Sequence, residues 1–172
     1  MARWEKHAAG VLAIDDIGPF ILAVTRYPHV KGANSHHVDW GLPGGWQQTP
    51  GERPIETAQR ELYEETHLRA KLEPTPLIIV PPEITGNGKP YYVFVPGPEG
   101  LQGPINSPVY NSPVRMDSKN VSYLYAHQHQ AITSEGWADW ITVKKFMQLK
   151  DPSVSVLDSN RYILRWGLGW NV

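Results

Sequence analysis

The chain has 172 residues, of which 41% are hydrophobic, and this composition is typical of one globular domain with a buried core. Lysine and arginine number 16 against 17 aspartates and glutamates, so the sequence lacks the basic surplus that duplex nucleic acid or an anionic membrane would attract. There is no cysteine, which excludes disulfides, zinc–thiolate sites and a cysteine nucleophile.

The N-terminal part of the chain predicts two strands around a turn. The segments AGVLAI (9–14) and FILAVT (20–25) are almost continuously apolar, and residues 15–19 supply the turn. Such strands are typical of a sheet that is covered on both faces. The preceding residues lack the apolar core of a signal peptide, and no apolar run approaches the ~18 residues of a membrane span. We therefore expect a soluble cytoplasmic protein that does not contact a membrane.

The next predicted element is a helix. The segment VDWGLPGGW (38–46) is extended and breaks at its Pro-Gly-Gly turn, and a helix is predicted from Pro54 to about Thr66. Ile55, Ala58 and Leu62 recur at helical spacing and form one narrow apolar stripe.

The remaining elements are predicted to be shorter. AKLEPTPLIIVPP (70–82), KPYYVFVPG (89–97) and VSYLYAHQH (121–129) have the pattern of strands, whereas ADWITVKKFMQL (138–149) predicts a strand running into a helix, and SNRYILRWGL (159–168) predicts a terminal helix. Residues 96–120 are rich in proline and glycine and are interpreted as a long loop. No linker divides the sequence, so residues 1–172 are expected to form one domain.

Three glutamates lie close together on the predicted helix. Glu61 and Glu65 are one turn apart, with Glu64 to one side, and the apolar stripe borders them. Neighbouring carboxylates repel one another unless a positive charge lies among them, and hard divalent cations prefer oxygen ligands. The residues alone leave two readings open, which are a metal site and an ordinary solvated acidic face.

The stretch from Gly45 to Leu68 resembles the Nudix box. That pattern is Gly, five residues, Glu, seven residues, then Arg-Glu-apolar-any-Glu-Glu-any-Gly-apolar, and the chain matches it fully from Glu52 to Glu65. Two departures stand out. Six residues instead of five separate Gly45 from Glu52, and His67 occupies the position of the second Gly.

The resemblance implies an α+β fold, an α/β/α sandwich with a mixed sheet between helices, and a divalent metal site. By position, Glu61, Glu64 and Glu65 would be metal ligands together with the main-chain carbonyl of Gly44. The implied cofactor is Mg²⁺, with Mn²⁺ as an alternative.

The resemblance also implies roles for residues around the metal. Arg60 would form an ion pair with Glu52 that holds the loop to the helix. The general base would be a box glutamate, Glu64 or Glu65, or else Glu135 in a later loop.

Two residues are candidates for contacting the substrate. Arg26, at the end of the second strand, would face the phosphates, and Trp46, inside the glycine loop, would stack on a base. For both residues an ordinary structural role is the alternative.

The implied activity is a Mg²⁺-dependent pyrophosphohydrolase that cleaves the diphosphate link of a nucleoside diphosphate derivative. The expected substrate is of the ADP-ribose or dinucleotide type, and the products are a nucleoside monophosphate and a phosphorylated group. Alternatives are a nucleoside triphosphate pyrophosphatase, a non-hydrolytic enzyme on the same fold, and a non-catalytic nucleotide-sensing domain. The expected partner is a small nucleotide, and a homodimer is left open. The loop at 96–120 is the candidate for shaping substrate choice.

Overall fold

The computed structural model describes residues 3–15, 20–25, 40–66, 68–102, 138–148 and 156–172. The strands are β1 Ala8–Val11, β2 Ile14–Asp15, β3 Phe20–Thr25, β4 Trp40–Gly41, β5 Gly44–Trp46, β6 Arg69–Leu72, β7 Ile78–Val80, β8 Tyr91–Phe94, β9 Pro96–Gln102 and β10 Ala138–Thr142. The helices are α1 Pro54–Thr66, α2 Pro82–Thr85, α3 Val143–Phe146 and α4 Val156–Tyr162, which continues into a π-helical turn at Ile163–Gly167.

The described strands form a mixed arrangement, as predicted for an α+β fold. In the first sheet the order is β5-β1-β8-β7, with β1 parallel to β8 and the other neighbours antiparallel. In the second sheet β3 pairs antiparallel with β2, β4 and β10. A third sheet consists of β6 and β9. The first predicted strand is thus divided between two sheets, because β1 joins β8 whereas β2 forms the predicted hairpin with β3.

Both faces of the sheets are covered, as the continuous apolar runs predict. Leu22 of β3 and Phe94 of β8 belong to the core under α1, whereas the adjacent Ile21 and Val93 belong to a second core that includes side chains of α3 and the π-helical turn. Because successive strand residues point to opposite faces, one run of apolar residues fills both cores. The result is the expected order of helix, sheet and helix.

Helix α1 has the predicted bounds. It begins at Pro54, where the first turn needs no backbone donor, and its fully buried Ala58 and Leu62 belong to the first core, with Ile55 packed against it. At its C-terminal end the hydroxyl of Thr66 accepts a hydrogen bond from the backbone N–H of Leu68, at 3.1 Å.

The predicted loop at 96–120 begins too early, because its first seven residues form β9. β9 pairs with β6 and has no second neighbour among the described strands, and proline is tolerated in such an edge strand. A register shift between Ala70 and Leu72 accommodates the irregular sequence, and Leu101 of β9 is buried in the first core. The rest of the predicted loop and the predicted strand at 121–129 lie outside the described residues. Within the described part of the chain, no helix is both long and apolar enough to cross a membrane.

Candidate active site

Glu52 and Arg60 join the glycine loop to α1. The guanidinium donates from Nε to Oε2 of Glu52 at 2.9 Å and from Nη2 to Oε1 at 3.0 Å, so the pair is bidentate. The Arg60 hydrogen bonds, together with those from Thr57 and the backbone N–H of Gln48, lower the pKa of Glu52 to about 2, although burial opposes the shift. Glu52 is therefore ionised at neutral pH.

The same guanidinium contacts three further groups. Its Nη2 donates to the main-chain oxygen of Trp46 at 2.8 Å, and its Nη1 donates to Glu61 at 3.0 Å and to Glu64 at 3.1 Å. Hydrogen bonding to Glu52 raises the pKa of Arg60 above its usual value. Arg60 thus fixes the end of β5, the loop after it and one face of α1 relative to one another.

The three box glutamates differ in their surroundings. The side chain of Glu61 is 14% exposed, whereas that of Glu64 is 47% exposed. Burial raises the pKa of Glu61, and the neighbouring Arg60 opposes the shift without cancelling it. Glu65 accepts a hydrogen bond from the backbone N–H of Gly44 at 2.8 Å and also lies within hydrogen-bonding distance of the Glu61 carboxylate.

The donor set fits a hard divalent cation. In the described ranges no group of three or more His, Asp or Glu side chains is arranged as a ready metal cage, because Glu61 and Glu64 turn towards Arg60 and Glu65 turns towards Gly44. However, burial and the like charge of the Glu64 carboxylate both raise the pKa of Glu61, and Glu65 lies beside Glu61, so negative groups crowd together here. A cation between them would relieve this repulsion, and carboxylate oxygens are the ligands that Mg²⁺ prefers.

Gly45 leaves the room in which the Glu61 carboxylate lies. A Cβ built on Gly45 would come within 2.6 Å of the carboxyl carbon of Glu61. A Cβ on the adjacent Gly44 would instead meet the hydroxyl of Tyr91 at 2.5 Å and backbone atoms of β1, with the carbonyl oxygen of Ala9 at 2.6 Å and the Cα of Gly10 at 2.8 Å. The two neighbouring glycines therefore serve different purposes, one for the carboxylate and one for close approach of the strands.

The residue inserted into the box loop is accommodated by a closed turn. The backbone N–H of Glu52 donates to the carbonyl of Thr49 at 3.0 Å, and the side chain of Gln47 donates to the carbonyls of Pro50 and Glu52. These bonds keep Glu52 beside Arg60 although the loop is one residue longer than the box pattern.

Trp46 lies at the edge of the site with its side chain accessible. The residue is 48% exposed, and Nζ of Lys89 lies 4.3 Å from the centroid of its ring. A half-exposed indole beside a cationic group offers a stacking surface next to a positive charge.

Several predicted residues lie outside the described ranges. Arg26, Glu135 and His67 are among them. Their roles in phosphate binding, in proton transfer and at the helix end therefore stay predictions.

Sequence reasoning missed two residues that contact Glu52 directly or through one neighbour. The hydroxyl of Thr57 donates to Oε1 of Glu52 at 2.6 Å, and Nε2 of the buried His7 lies 3.0 Å from the same hydroxyl. Thr57 precedes Glu61 by one helical turn, which is a signal that could have been used. His7 is 50 residues away from Thr57 in the chain, and nothing in its local sequence indicates the contact.

A sequence model of the NUDIX domain matches residues 4–152 of this chain. The MutT structure from a study of the Aliivibrio salmonicida and Vibrio cholerae proteins superimposes with a TM-score of 0.54 at 14% identity, over 95% of this chain and 97% of that chain. The MutT NUDIX hydrolase from Burkholderia pseudomallei gives 0.50 at 16% identity, over 90% and 96% of the two chains. A NUDIX hydrolase from Nitrosomonas europaea gives 0.48 at 19% identity, over 92% and 89%. None of the curated proteins compared matches this chain significantly.

Proposed function

Because this chain belongs to the Nudix family, whose hydrolases act on acid anhydride bonds of phosphorus-containing substrates, we propose that it is a Mg²⁺-dependent pyrophosphohydrolase for a nucleoside diphosphate derivative. The observation that carries this proposal is that the Glu61 and Glu64 carboxylates share a single guanidinium, that of Arg60, while Glu65 lies beside Glu61 and accepts from the N–H of Gly44. An excess of negative charge in a partly buried place favours a bound divalent cation.

The metal ion would be held by the carboxylates of Glu61, Glu64 and Glu65 and by the main-chain carbonyl of Gly44. The N–H of Gly44 bonds to Glu65 and not to a neighbouring strand. Since N–H and C=O of one strand residue point to the same side, the Gly44 carbonyl is expected to face Glu65 as well. Bound there, Mg²⁺, or Mn²⁺ as a substitute, would supply Lewis-acid chemistry that offsets phosphate charge and makes water a better nucleophile.

The protein groups would orient the substrate and accept a proton. Arg60 holds Glu64 through Oε2, and in our proposal this half-exposed carboxylate would take the proton of an attacking water. Water oxygen would bond to one phosphorus of the diphosphate, and the bridging P–O bond would break, which gives a nucleoside monophosphate and a phosphorylated product. Glu65 and Glu135 remain alternative bases, and Arg26 remains the candidate phosphate contact.

The accessible ring of Trp46 is proposed to stack on the nucleobase, with Lys89 beside it. The expected substrate is of the ADP-ribose or dinucleotide type, with nucleoside triphosphates as the alternative. A cytoplasmic location and a homodimer stay predictions.

The test is a substrate panel with a matched pair of variants. The protein is incubated with Mg²⁺ and dinucleotides, nucleotide sugars, ADP-ribose or nucleoside triphosphates, and products are separated by chromatography. A nucleoside monophosphate is the expected product. Glu65→Gln should lower turnover by orders of magnitude and weaken Mn²⁺ binding, whereas the same change at Glu83, an exposed residue of α2, should alter neither. Nucleotide binding without turnover by the folded protein would instead indicate the sensing domain.

A further inference from the structure

His7 is a buried titratable residue that the proposed reaction does not use. It is 1% exposed and immediately precedes β1. Its Nδ1 lies 2.8 Å from the carbonyl oxygen of Glu5, and its Nε2 lies 3.0 Å from Oγ1 of Thr57. Thr57 in turn lies 2.6 Å from Oε1 of Glu52, so a continuous chain of contacts connects His7 to the Glu52–Arg60 pair.

The protons in the series of contacts from Glu5 through His7 and Thr57 to Glu52 can be assigned by counting donors and acceptors. A carbonyl oxygen only accepts, so Nδ1 of His7 carries a proton for Glu5. Thr57 has one hydroxyl proton. The ionised carboxylate of Glu52 only accepts, and its contact with Thr57 is far shorter than the 3.3 Å that separates the hydroxyl from the carbonyl of Arg53. The hydroxyl therefore donates to Glu52, and Nε2 of His7 has to donate to the hydroxyl.

We propose that His7 is a positioning residue that carries a proton on both ring nitrogens and thereby turns the Thr57 hydroxyl towards Glu52. With a neutral ring that bears a proton on Nδ1 only, Nε2 would compete for the hydroxyl proton, and two acceptor oxygens would face each other at Glu52 and Thr57. The carboxylate would then lose one of the donors that hold it in line with Arg60.

Groups from the N-terminal segment, α1 and β8 enclose the ring of His7. The groups that face it are the Glu5 carbonyl, Thr57 of α1 with Glu52 beyond it, and Tyr92 of β8. The ring centroids of His7 and Tyr92 are 5.6 Å apart, and the two ring planes make an angle of 76°, which is a T-shaped aromatic pair. The ionised Glu52 is one hydroxyl away from the ring, and in the described ranges no charged side chain forms a direct hydrogen bond with His7.

The direct test is nitrogen-15 NMR of the histidine ring at neutral pH, with the His7 signals assigned from their loss in His7→Phe. Directly bonded protons on both ring nitrogens are the expected result, and a bare Nε2 would overturn the proposal. Thr57→Val removes the hydroxyl but keeps the shape, so one ring proton should be lost, whereas Thr57→Ser should retain both. Retention of both protons in Thr57→Val would contradict the link through the hydroxyl.

A second measurement, the steady-state kinetics of Thr57 variants, tests whether this contact positions Glu52 for catalysis. Thr57→Val should lower kcat about tenfold with little change in KM, and Thr57→Ser should restore it, since groups that orient a site commonly contribute 10–100-fold. Unchanged kcat in Thr57→Val would overturn the positioning role. Only this measurement rests on the proposed function. If the unsubstituted protein cleaves no substrate, that function fails, and the same tenfold effect is then sought in Mn²⁺ affinity, while the NMR result stands independently.

Discussion

Glu52 receives hydrogen bonds from the loop and from two positions on α1. Its donors are the Gln48 backbone, the Thr57 hydroxyl and the Arg60 guanidinium, and Arg60 contributes most to lowering the pKa of Glu52 from 4.5 to about 2. A lowered carboxyl pKa means that the folded state prefers the ionised form, so this stabilisation is complete above about pH 4.5 and is lost as the pH falls through about 2.

This pH dependence gives a prediction for Glu52→Gln. At pH 7 the variant should lose about 2 kcal/mol of unfolding free energy, because Arg60 faces an uncharged amide. The difference from the parent protein should shrink to roughly half at pH 3, since the unfolded glutamate is then mostly protonated. Urea denaturation at both pH values measures it. A difference that is constant with pH would show that lost packing, and not the ionised carboxylate, destabilises the variant.

Gly45→Ala should distinguish an effect on the proposed metal site from an effect on the fold. The added methyl group meets the mobile end of the Glu61 side chain, so we expect a change in unfolding free energy of less than about 1 kcal/mol and a clear loss of Mn²⁺ affinity. Gly44→Ala is the comparison for stability, because its methyl group meets the Tyr91 hydroxyl and the backbone of β1, which cannot move aside easily, and it should destabilise the fold by about 2 kcal/mol or more. Thermal unfolding and Mn²⁺ titration of both variants test the contrast. Unimpaired Mn²⁺ binding in folded Gly45→Ala would contradict the placement of Glu61 at the metal.

The sequence predicted the ion pair between Glu52 and Arg60, which the structure contains, but not the hydrogen-bond partners of the other three box glutamates. The box pattern places Glu61, Glu64 and Glu65 on one helix, and helical periodicity alone brings them together. Which carboxylate turns to Arg60 and which to Gly44 depends on the loop that closes over the helix. The role of His7 was missed because its contact partner is distant in the chain.

At the scale of elements, α1 is held in place by a narrow buried stripe. Leu62 is fully buried in the core beneath the helix, whereas the adjacent Tyr63 is exposed and lies under Arg69 on the surface. The stripe determines how deeply the glutamates on its flank are buried, so the packing of α1 also sets the electrostatics of Glu61.

Leu62→Ala should therefore destabilise the protein by about 2–5 kcal/mol, because it leaves a cavity under α1. The neighbouring change Tyr63→Ala should cost less than about 1 kcal/mol, since it removes a surface contact. Denaturant unfolding of both variants measures the difference. Equal losses for the two variants would mean that α1 is not anchored through this stripe.

The sequence predicted α1 and most strands well because their periodicity or continuous apolar runs are local signals. It missed β9, whose prolines and glycines carry turn signals instead. That segment is a strand because β6 offers a partner and the first core accepts Leu101, and both are tertiary effects that a local pattern does not contain. Likewise, the assignment of β1 and β2 to different sheets depends on β8, which lies far along the chain.

At the scale of the whole molecule, the buried side-chain amide of Asn160 links helices α3 and α4, which lie on the side of the sheets opposite α1, to strand β4. Nδ2 of Asn160 in α4 donates to the carbonyl of Trp40 at 3.2 Å and to the carbonyl of Phe146 at 3.2 Å. These carbonyls belong to β4 and α3, so Asn160 connects α4 to a helix 14 residues away in the chain and to a strand 120 residues away. The resulting layer supports the sheets from the side opposite α1 and contains none of the described carboxylates of the candidate site.

Asn160→Ala is expected to separate stability from metal binding. The change leaves two buried carbonyls without this donor, and a buried polar group without a partner costs about 1–3 kcal/mol. Mn²⁺ affinity measured below the unfolding temperature should stay within about twofold, because Glu61 and Glu65 are positioned by α1 and the box loop on the other side of the sheet. Ser159→Ala, at the adjacent position of α4, should change both quantities little and serves as the control. A tenfold loss of Mn²⁺ affinity in folded Asn160→Ala would show that the two layers are coupled, and the assumption that the box and α1 form the metal site by themselves would then be wrong.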